Sequence, residues 1–396
     1  MKIASRFASV ACLGWAATAA AVNVNPHGMG QVLLYPYYTI NRNQDTYFSL
    51  GNFGRFPKVV KVRFLEGRAG RPALDIDVVL KPRDVWTAAI SVDAGGGAKL
   101  ISPDSSCTRP AIPSAGLMFT ASGYDGSGSI PPDDGPHGVE RTREGFAEAI
   151  GGADIIEPST SAPFPIDCKT IFDALSTAAV RLGPPGSLYG WAAVIDVANG
   201  HYYSYNATAI DEFTATSLYS PDWGPLKPSL TDANSAEDAS HQAIAHFFLE
   251  GETVPHFGTP RRGTYARGID AVTAVLMADT IENDYVVDPA LGASTDWVVT
   301  MPTRRFYVDA AYPATNDPAA DGYLSCCAAF VYDRSGQPEP ATARDLQLEN
   351  DVNVISFLPP LPRSRACSVL ASWSTSCRQP LRARCAFRCP RSPLPG

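Results

Sequence analysis

Two neighbouring stretches decide the fold class of this 396-residue chain: KVVKVRFL at residues 58–65 and ALDIDVVL at residues 73–80. In the first stretch, apolar side chains alternate with Lys61 and Arg63. A period of two predicts a half-buried strand, because successive side chains of a strand point to opposite faces. The second stretch alternates in the same way, with its two aspartates on the face expected to meet water.

Further strand-like stretches surround this pair at a spacing of about 12 residues. They lie at residues 31–40, 46–50 and 85–92, and the segments between them are rich in Gly, Pro, Asn and Asp. Several short strands joined by regular turns are typical of an antiparallel sandwich. The sequence therefore predicts an immunoglobulin-like antiparallel β-sandwich domain over residues 22–125.

The rest of the body, residues 126–361, is expected to form a second β-rich domain with long loops and one or two helices. Helical spacing of apolar residues predicts helices within 165–181 and 268–283. An Asn-Gly pair at 199–200 predicts a hairpin between two aromatic-rich stretches. Residues 138–154 fit either a helix or a strand, and the glycines there favour the strand.

Shorter strands are predicted towards the end of this body, at residues 296–301, 305–308, 325–332 and 352–357. Residues 239–249 are apolar and fit either a helix or a strand. The overall expectation is a mainly β chain, with a sandwich followed by a second β-rich part.

The first 21 residues have the three parts of a secretory signal peptide. Lys2 and Arg6 supply a positive start, residues 7–17 are mostly small and apolar, and residues 18–21 are the small side chains that precede a cleavage site. We therefore expect residues 1–21 to be removed and the protein to be exported, to the periplasm, the cell surface or the extracellular medium. No later stretch approaches about 18 consecutive apolar residues, so no transmembrane segment is expected after cleavage.

Export makes disulfide formation the default for cysteines of the body. Cys107 and Cys168 are the preferred pair, and they enclose a loop of roughly 60 residues, for which chain-entropy estimates give about 4 kcal/mol. The alternative is that one of them pairs with Cys326 or Cys327, which are poor partners for each other because neighbours on a strand point to opposite faces. No spacing of Cys and His suggests a zinc site.

Charge is unevenly distributed along the chain. The net charge is −8, yet residues 362–396 hold seven Arg and no Lys, Asp or Glu. With +7 in that tail and +2 in the leader, residues 22–361 carry −17. Because an acidic body repels phosphate groups, neither nucleic acid nor anionic lipid is an expected partner of the folded part.

The tail itself, residues 362–396, shows neither helical nor strand periodicity and is expected to be unfolded. It combines Arg, Ser and Pro with four Cys, a composition that a GC-rich gene gives when it is read out of frame. We interpret it as a frameshift product or otherwise unselected sequence. A disulfide-bearing extension and a basic anchor to an anionic polymer are the alternatives.

Several sequence landmarks are shared with a known group of proteins. They are NPHGMGQVLLYPYYT at 25–39, KVRFLEG at 61–67, DVWTA at 84–88, REG at 143–145, YSYN at 203–206 and TDWVVTMPT at 295–303. In these landmarks the chain resembles a group of uncharacterised exported or cell-surface proteobacterial proteins whose mature N-terminus reads G-x-G-Q-V-L-L-Y-P-Y-Y-T. The resemblance implies a surface location and assigns no catalytic residue.

Established catalytic and cofactor motifs are absent from the sequence, which lacks GxSxG, HExxH, a Walker A loop and a dinucleotide glycine fingerprint. His241 and His246 are five residues apart, a spacing that places them on a common face of neither a helix nor a strand. With His256 they make a weak metal site, and a serine triad using Asp211 or Asp270 has no recognisable nucleophile turn. We assign no catalytic, cofactor-binding or metal-binding residue.

Two residue classes leave a carbohydrate-active alternative open. Neighbouring carboxylates could serve glycoside hydrolysis if they faced each other in a cleft; the candidates are Asp75/Asp77, Asp211/Glu212, Glu250/Glu252 and Asp279/Glu282. Aromatic side chains could form a sugar-stacking platform, although packing in the core is the favoured interpretation; they are Tyr35, Tyr37, Tyr38, Tyr189, Trp191, Tyr202, Tyr203 and Tyr205.

The sequence thus favours a secreted or cell-surface structural or adhesive protein without catalytic activity or a cofactor. Its expected partner is a cell-surface polymer or another copy of the chain. The alternative is a secreted protein that binds or hydrolyses carbohydrate.

Overall fold

The computed structural model describes most of the chain between residues 21 and 372. The described residues are 21–156, 167–176, 181–183, 185–221, 226–234, 242–247, 261–277, 280–285, 294–309, 311–312, 327–331, 344–346, 348–357 and 367–372. The predicted signal peptide lies outside them except for Ala21, and so does the predicted tail except for residues 367–372.

Fourteen short strands lie between residues 23 and 211 of the described chain. In chain order they are β1 Asn23–Val24, β2 Val32–Thr39, β3 Asp45–Asn52, β4 Lys58–Glu66, β5 Pro72–Leu80, β6 Val85–Val92, β7 Ala98–Ile101, β8 Cys107–Arg109, β9 Leu117–Met118, β10 Glu144–Ile155, β11 Arg181–Leu182, β12 Leu188–Asp196, β13 His201–Asn206 and β14 Thr208–Asp211.

These strands form two antiparallel sheets. One has the order β1-β14-β2-β10-β4-β5-β8, with β11 beside β10, and the other has the order β13-β12-β3-β6-β7-β9. The prediction of a mainly β, antiparallel sandwich is confirmed. The expected domain boundary near residue 125 falls between β9 and β10, and both sheets take strands from either side of it.

Aromatic rings fill the space between the two sheets. Trp86 is fully buried there, beside a cluster in which Phe64 lies edge-on to Tyr38 and Phe48, with ring centroids 6.1 and 5.4 Å apart. Phe119 closes the cluster at 5.8 Å from Tyr38. Edge-to-face pairs of this kind add to the free energy that burial of apolar area already supplies, so this layer holds the sandwich together.

The remaining elements follow the sandwich in sequence, apart from α1. They are α1 Cys168–Leu175, β15 Ala243–Phe247, β16 Arg261–Tyr265, α2 Gly268–Leu276, β17 Thr280–Tyr285, β18 Thr295–Thr300, α3 Arg305–Val308, β19 Cys327–Val331, β20 Arg344–Leu346, β21 Val352–Phe357 and β22 Cys367–Ser372. They form three small antiparallel sheets, β15-β16, β17-β22-β19-β20 and β18-β21. Among the described residues, no helix is long and apolar enough to cross a membrane.

Several local predictions agree with the structure. Residues 144–155 form the long strand β10, and β12 and β13 form a hairpin in which Gly200 has the positive φ of 67° that its turn requires. The predicted helix at 268–283 is shorter than expected. It ends at Leu276 because Met277 has an extended backbone, and the chain then continues as β17.

The predicted strand at residues 305–308 is wrong, because these residues form the single helical turn α3. Backbone N–H groups of Phe306 and Tyr307 donate to the carbonyl oxygens of Thr303 and Arg304. The turn buries Phe306 while directing the guanidinium of Arg305 to a carboxylate of the large sheet. Four residues carry too little periodicity to distinguish such a turn from a strand.

The prediction that one side of β4 and β5 faces water is also wrong. All nine residues of β4 are buried, including Lys61 and Arg63. Lys61 pairs with Asp77 at 3.3 Å and Arg63 pairs with Asp75 at 2.9 Å, each across the neighbouring strand. Arg63 also donates to the carbonyl oxygen of Pro228, so later parts of the chain cover this face of the sheet.

Cys107 and Cys168 are joined by a disulfide that ties β8 to α1, with their Cα atoms 5.2 Å apart. The two residues are 61 positions apart in sequence. Cys327 begins β19, whereas Cys326 lies outside the described residues. The bridge therefore fixes the short helix against the edge of the large sheet.

Candidate functional site

The outer face of the six-stranded sheet presents aromatic side chains to solvent. On β12, Leu188 and Ala192 point into the core, so Tyr189 and Trp191 point outward. On β3, the neighbours of the core residue Phe48 point outward in the same way. We call the outward side chains Tyr47, Tyr189, Trp191 and Tyr202 the aromatic face.

Three rings of the aromatic face are substantially exposed: Tyr202 at 67 %, Trp191 at 44 % and Tyr47 at 40 %. They lie on three adjacent strands, β13, β12 and β3. Trp191 is opposite Ser49, Tyr47 is opposite Ala193, and Tyr202 is opposite Ile195. The rings therefore occupy three successive cross-strand rows, and neighbouring rows are about 7 Å apart along the strands.

Glycine makes room for the fourth ring. Gly51 lies directly opposite Tyr189, and a Cβ atom on Gly51 would overlap the Tyr189 ring. The tyrosine therefore lies flat across β3. Tyr189 is half-buried in this position.

Small hydroxyl and amide side chains separate the exposed rings. Ser204 and Asn206 share the outward side of β13 with Tyr202, whose hydroxyl donates to Ser204 Oγ at 3.0 Å. Thr87 of β6 is exposed on the same face, opposite Ser49. The surface thus alternates flat apolar rings with groups that can donate and accept hydrogen bonds.

A second notable feature is a group of buried charges, the charged cluster, formed by Glu66, Glu148, Arg304, Arg305 and Asp351. Arg305 pairs with Glu148, and Arg304 Nη1 lies 3.1 Å from Asp351 Oδ1. Glu148, Asp351 and Arg305 are each at most 1 % exposed. Because Glu66 and Glu148 belong to the large sheet, the cluster attaches α3 and the start of β21 to the sandwich.

Glu66 holds the loop that follows β4. Its carboxylate accepts hydrogen bonds from the backbone N–H groups of Arg68, Ala69 and Arg71, and Arg141 Nη2 lies 3.0 Å from it. In the same loop, the carbonyl oxygen of Arg68 accepts a hydrogen bond from the backbone N–H of Asp351. The Glu66 carboxylate is therefore engaged in holding backbone N–H groups and a guanidinium group, which is a structural role.

The environment of the cluster changes the protonation of Asp351. Burial raises its pKa from 3.8 to about 7, although Arg304 and Arg305 oppose the shift. In the unfolded chain the carboxyl ionises near its ordinary pKa. The folded state therefore binds a proton that the unfolded state has lost throughout the interval between these two values.

We expect this group to lower the free energy of unfolding as pH rises from about 4 to about 7, with a slope of up to about 1.4 kcal/mol per pH unit. Asp351→Asn removes the titration and should flatten the slope over that window. Urea unfolding of both proteins at pH 5 and at pH 7.5 measures this pH dependence of the free energy of unfolding. Equal pH dependence in the two proteins would show that Asp351 is ionised in the fold.

A cavity of about 250 Å³ lies where β18 and the end of α2 pack on the large sheet. Its lining is mostly apolar with several threonines: Leu34, Tyr35, Pro36, Phe146, Thr208, Thr273, Leu276, Met277, Val299, Thr300, Met301, Pro302 and Thr303. Thr273 and Thr300 already bond within the protein, to the Ile269 and Pro36 carbonyl oxygens. No carboxylate or imidazole is among these lining residues.

The carboxylate pairs named from the sequence are not brought together in a described cleft. Asp75 and Asp77 bind the basic side chains of β4, and Asp77 also accepts from Arg109. Asp211 ends β14 and Glu212 follows it; burial raises the pKa of Glu212, and Asp211 adds to the shift. Glu250, Glu252 and Asp279 lie outside the described residues, as does the side chain of Glu282.

The histidines and the triad acids can be placed only in part. His246 lies on β15, whereas His241 and His256 are outside the described residues. Asp270 is held by Arg267 and by the hydroxyl of Tyr307. Within the described ranges, no three His, Cys, Asp or Glu side chains gather as a metal site would require.

The aromatic residues divide between the two roles considered from the sequence. Tyr35 and Tyr38 are buried in the core, as the favoured interpretation expects. Trp191 and Tyr202 point outward and are exposed. Tyr203 is exposed as well, but it lies on the opposite side of β13 from Tyr202.

Comparison with known proteins adds no relative: no protein-family model, curated protein or solved structure matches the chain.

Proposed function

We propose that this chain is an exported, non-catalytic surface protein that adheres to a cell-surface polymer through its aromatic face. The signal-like leader and the resemblance to exported proteins support the location. The observation that carries the adhesive role is the exposure of Tyr47, Trp191 and Tyr202 on one face of one sheet.

Exposed rings on a sheet face are suited to contact with a polymer. Each ring is a flat apolar surface, and a group of them on one face is typical of an interaction site. The sheet fixes the rings before binding, so little side-chain freedom is lost in the complex. The hydroxyl and amide groups of Thr87, Ser204 and Asn206 are exposed on this face and can bond polar groups between the ring contacts.

Carbohydrate binding is the second candidate, and the same surface supports it. Sugar rings offer apolar C–H faces bordered by hydroxyl groups, which match aromatic rings bordered by polar side chains. Hydrolysis would require two carboxyl groups about 5 Å or about 6.5–9.5 Å apart across the sugar. Asp75 and Asp77 do not supply them, because both are bound to basic side chains of β4.

Replacing Tyr47, Trp191 and Tyr202 together by alanine is expected to abolish adhesion. An aromatic contact contributes about 0.5–1.5 kcal/mol beyond its buried area, so each single change should weaken binding about threefold to tenfold. The measurement is depletion of purified protein from solution by cellulose, chitin and isolated peptidoglycan.

Tyr203→Ala is the matched control, because Tyr203 is an exposed tyrosine on the same strand with its ring on the other side of the sheet. It should bind like the unaltered protein. Unchanged binding by the triple variant would place the contact elsewhere. Failure of the unaltered protein to bind any of the three polymers would contradict polymer adhesion itself.

A further inference from the structure

Lys58 and Asp154 form a cross-strand pair inside the sandwich. Lys58 begins β4 and lies directly opposite Asp154 on β10. Lys58 is 0 % exposed and Asp154 is 4 % exposed. Lys58 Nζ donates to Asp154 Oδ1, and it also lies 3.3 Å from the carbonyl oxygen of Pro185.

The surroundings of this pair are apolar. Lys58 has the same orientation on β4 as the core residues Val60 and Val62, and Leu80 of β5 lies opposite it. Among the described residues, neither Lys58 nor Asp154 forms an ion pair with any third group. Each charge is therefore removed from water with a single counter-charge.

Burial changes the protonation of both groups. It lowers the pKa of Lys58 and raises the pKa of Asp154, although in each case the partner's charge opposes the shift. Both effects favour the transfer of the proton from the ammonium group to the carboxylate. Transfer of that proton would give an uncharged amine facing an uncharged carboxylic acid, which is the form of the pair that can condense.

We propose that Lys58 and Asp154 condense into an intramolecular isopeptide bond that crosslinks β4 and β10. The proposal follows from their direct opposition in the sheet, the contact between Nζ and the carboxyl group, and their burial among apolar side chains. It does not depend on what the aromatic face binds.

The reaction balances without an oxidant or a cofactor. The lone pair of Lys58 Nζ attacks Cγ of Asp154, and a C–N bond forms. The C–O bond to the carboxyl hydroxyl breaks, and the hydroxyl leaves with a proton from the nitrogen as one water molecule. The amide keeps one N–H, for which the Pro185 carbonyl oxygen is the neighbouring acceptor.

The fold supplies what the reaction needs. The backbone ladder of β4 and β10 holds the amine against the acid, and fixed geometry of this kind raises effective concentration by orders of magnitude. The ion pair bears a large desolvation penalty in an apolar site, whereas a neutral amide bears a smaller one that a hydrogen bond can offset. Departure of the water from the core opposes the reverse reaction.

Peptide mapping of the folded, unaltered protein tests the proposal. We expect one species in which the peptide carrying Lys58 is joined to the peptide carrying Asp154, lighter than their sum by one water. Lys61 and Asp77 provide an internal control, because they are also a buried cross-strand Lys–Asp pair on β4 and β5. Asp77 also pairs with a second cation, Arg109, at 2.9 Å, so the pair is not isolated as Lys58 and Asp154 are, and no crosslink is expected there.

Lys58→Arg preserves the charge and cannot form this amide, so its two peptides should be recovered separately. Recovery of the free Lys58 and Asp154 peptides at full mass from the unaltered protein, even after prolonged incubation in the folded state, would overturn the proposal and leave a plain ion pair. If Lys58→Arg does not fold, the map of the unaltered protein decides alone.

Discussion

Arg305→Ala is expected to destabilise the protein by about 3–5 kcal/mol, because it leaves the carboxylate of Glu148 buried without its counter-charge. Both side chains are at most 1 % exposed. Arg305 also lies over the ring of Phe306, with 4.4 Å between Cζ and the ring centroid, so the change removes packing as well as charge. The measurement is the urea midpoint of unfolding.

Arg68→Ala is the matched control for this prediction. Arg68 also pairs with an acid, Asp134, but their side chains are 42 % and 93 % exposed. A pair in water contributes about 0–1 kcal/mol, so this variant should unfold close to the unaltered protein. The double variant Arg305→Met with Glu148→Leu removes both buried charges and should recover most of the lost stability. Equal midpoints for Arg305→Ala and Arg68→Ala would contradict the assigned burial.

Removal of the disulfide is expected to have an effect of similar size. Replacing Cys107 and Cys168 together by serine frees a loop defined by a separation of 61 residues. The chain-entropy estimate for a loop of this length is about 4 kcal/mol, acting mainly through the unfolded state. Chemical unfolding of the double variant and of the oxidised, unaltered protein gives the difference directly.

A reducing agent supplies the control for the disulfide. It should lower the stability of the unaltered protein to that of the double serine variant and leave the variant unchanged. Insensitivity of the unaltered protein to reduction would mean that Cys107 and Cys168 are not joined in solution.

The alternation at residues 58–65 was sufficient to predict a strand but not its surroundings. Lys61 and Arg63 look like water-facing residues because a period of two separates them from the apolar positions. They are buried because Asp75 and Asp77 neutralise them and because a segment about 165 residues later covers Arg63. Local periodicity contains no information about which distant segment covers a face.

The same limit explains the error at residues 305–308. Their apolar residues fit a strand, yet the conformation is set by the buried pair between Arg305 and a carboxylate 157 positions earlier. Tertiary contacts of this kind override the weak preference of a four-residue segment.

Only part of the aromatic face could be predicted from the sequence. Tyrosine and tryptophan serve cores and binding surfaces equally well, so composition does not distinguish the two roles. A usable signal was the alternation of large and small residues on β12. In the structure, a Cβ atom added to Gly190 would collide with the hydroxyl of the buried Tyr35, so the side of β12 that carries the glycine is the inner one. The bulky side chains that alternate with it, Tyr189 and Trp191, must then face outward.

The position of β10 has a consequence for how the chain folds. This strand lies between β2 and β4, which precede it in sequence by about 100 residues, and it pairs with both. During synthesis, a chain that is complete only as far as β9 has two long apolar strands, β2 and β4, whose shared neighbour β10 is not yet present. Non-local pairing slows folding and leaves strand edges open to aggregation. We therefore expect assembly of the large sheet to wait for residues 144–155, and the emerging chain to require protection until then.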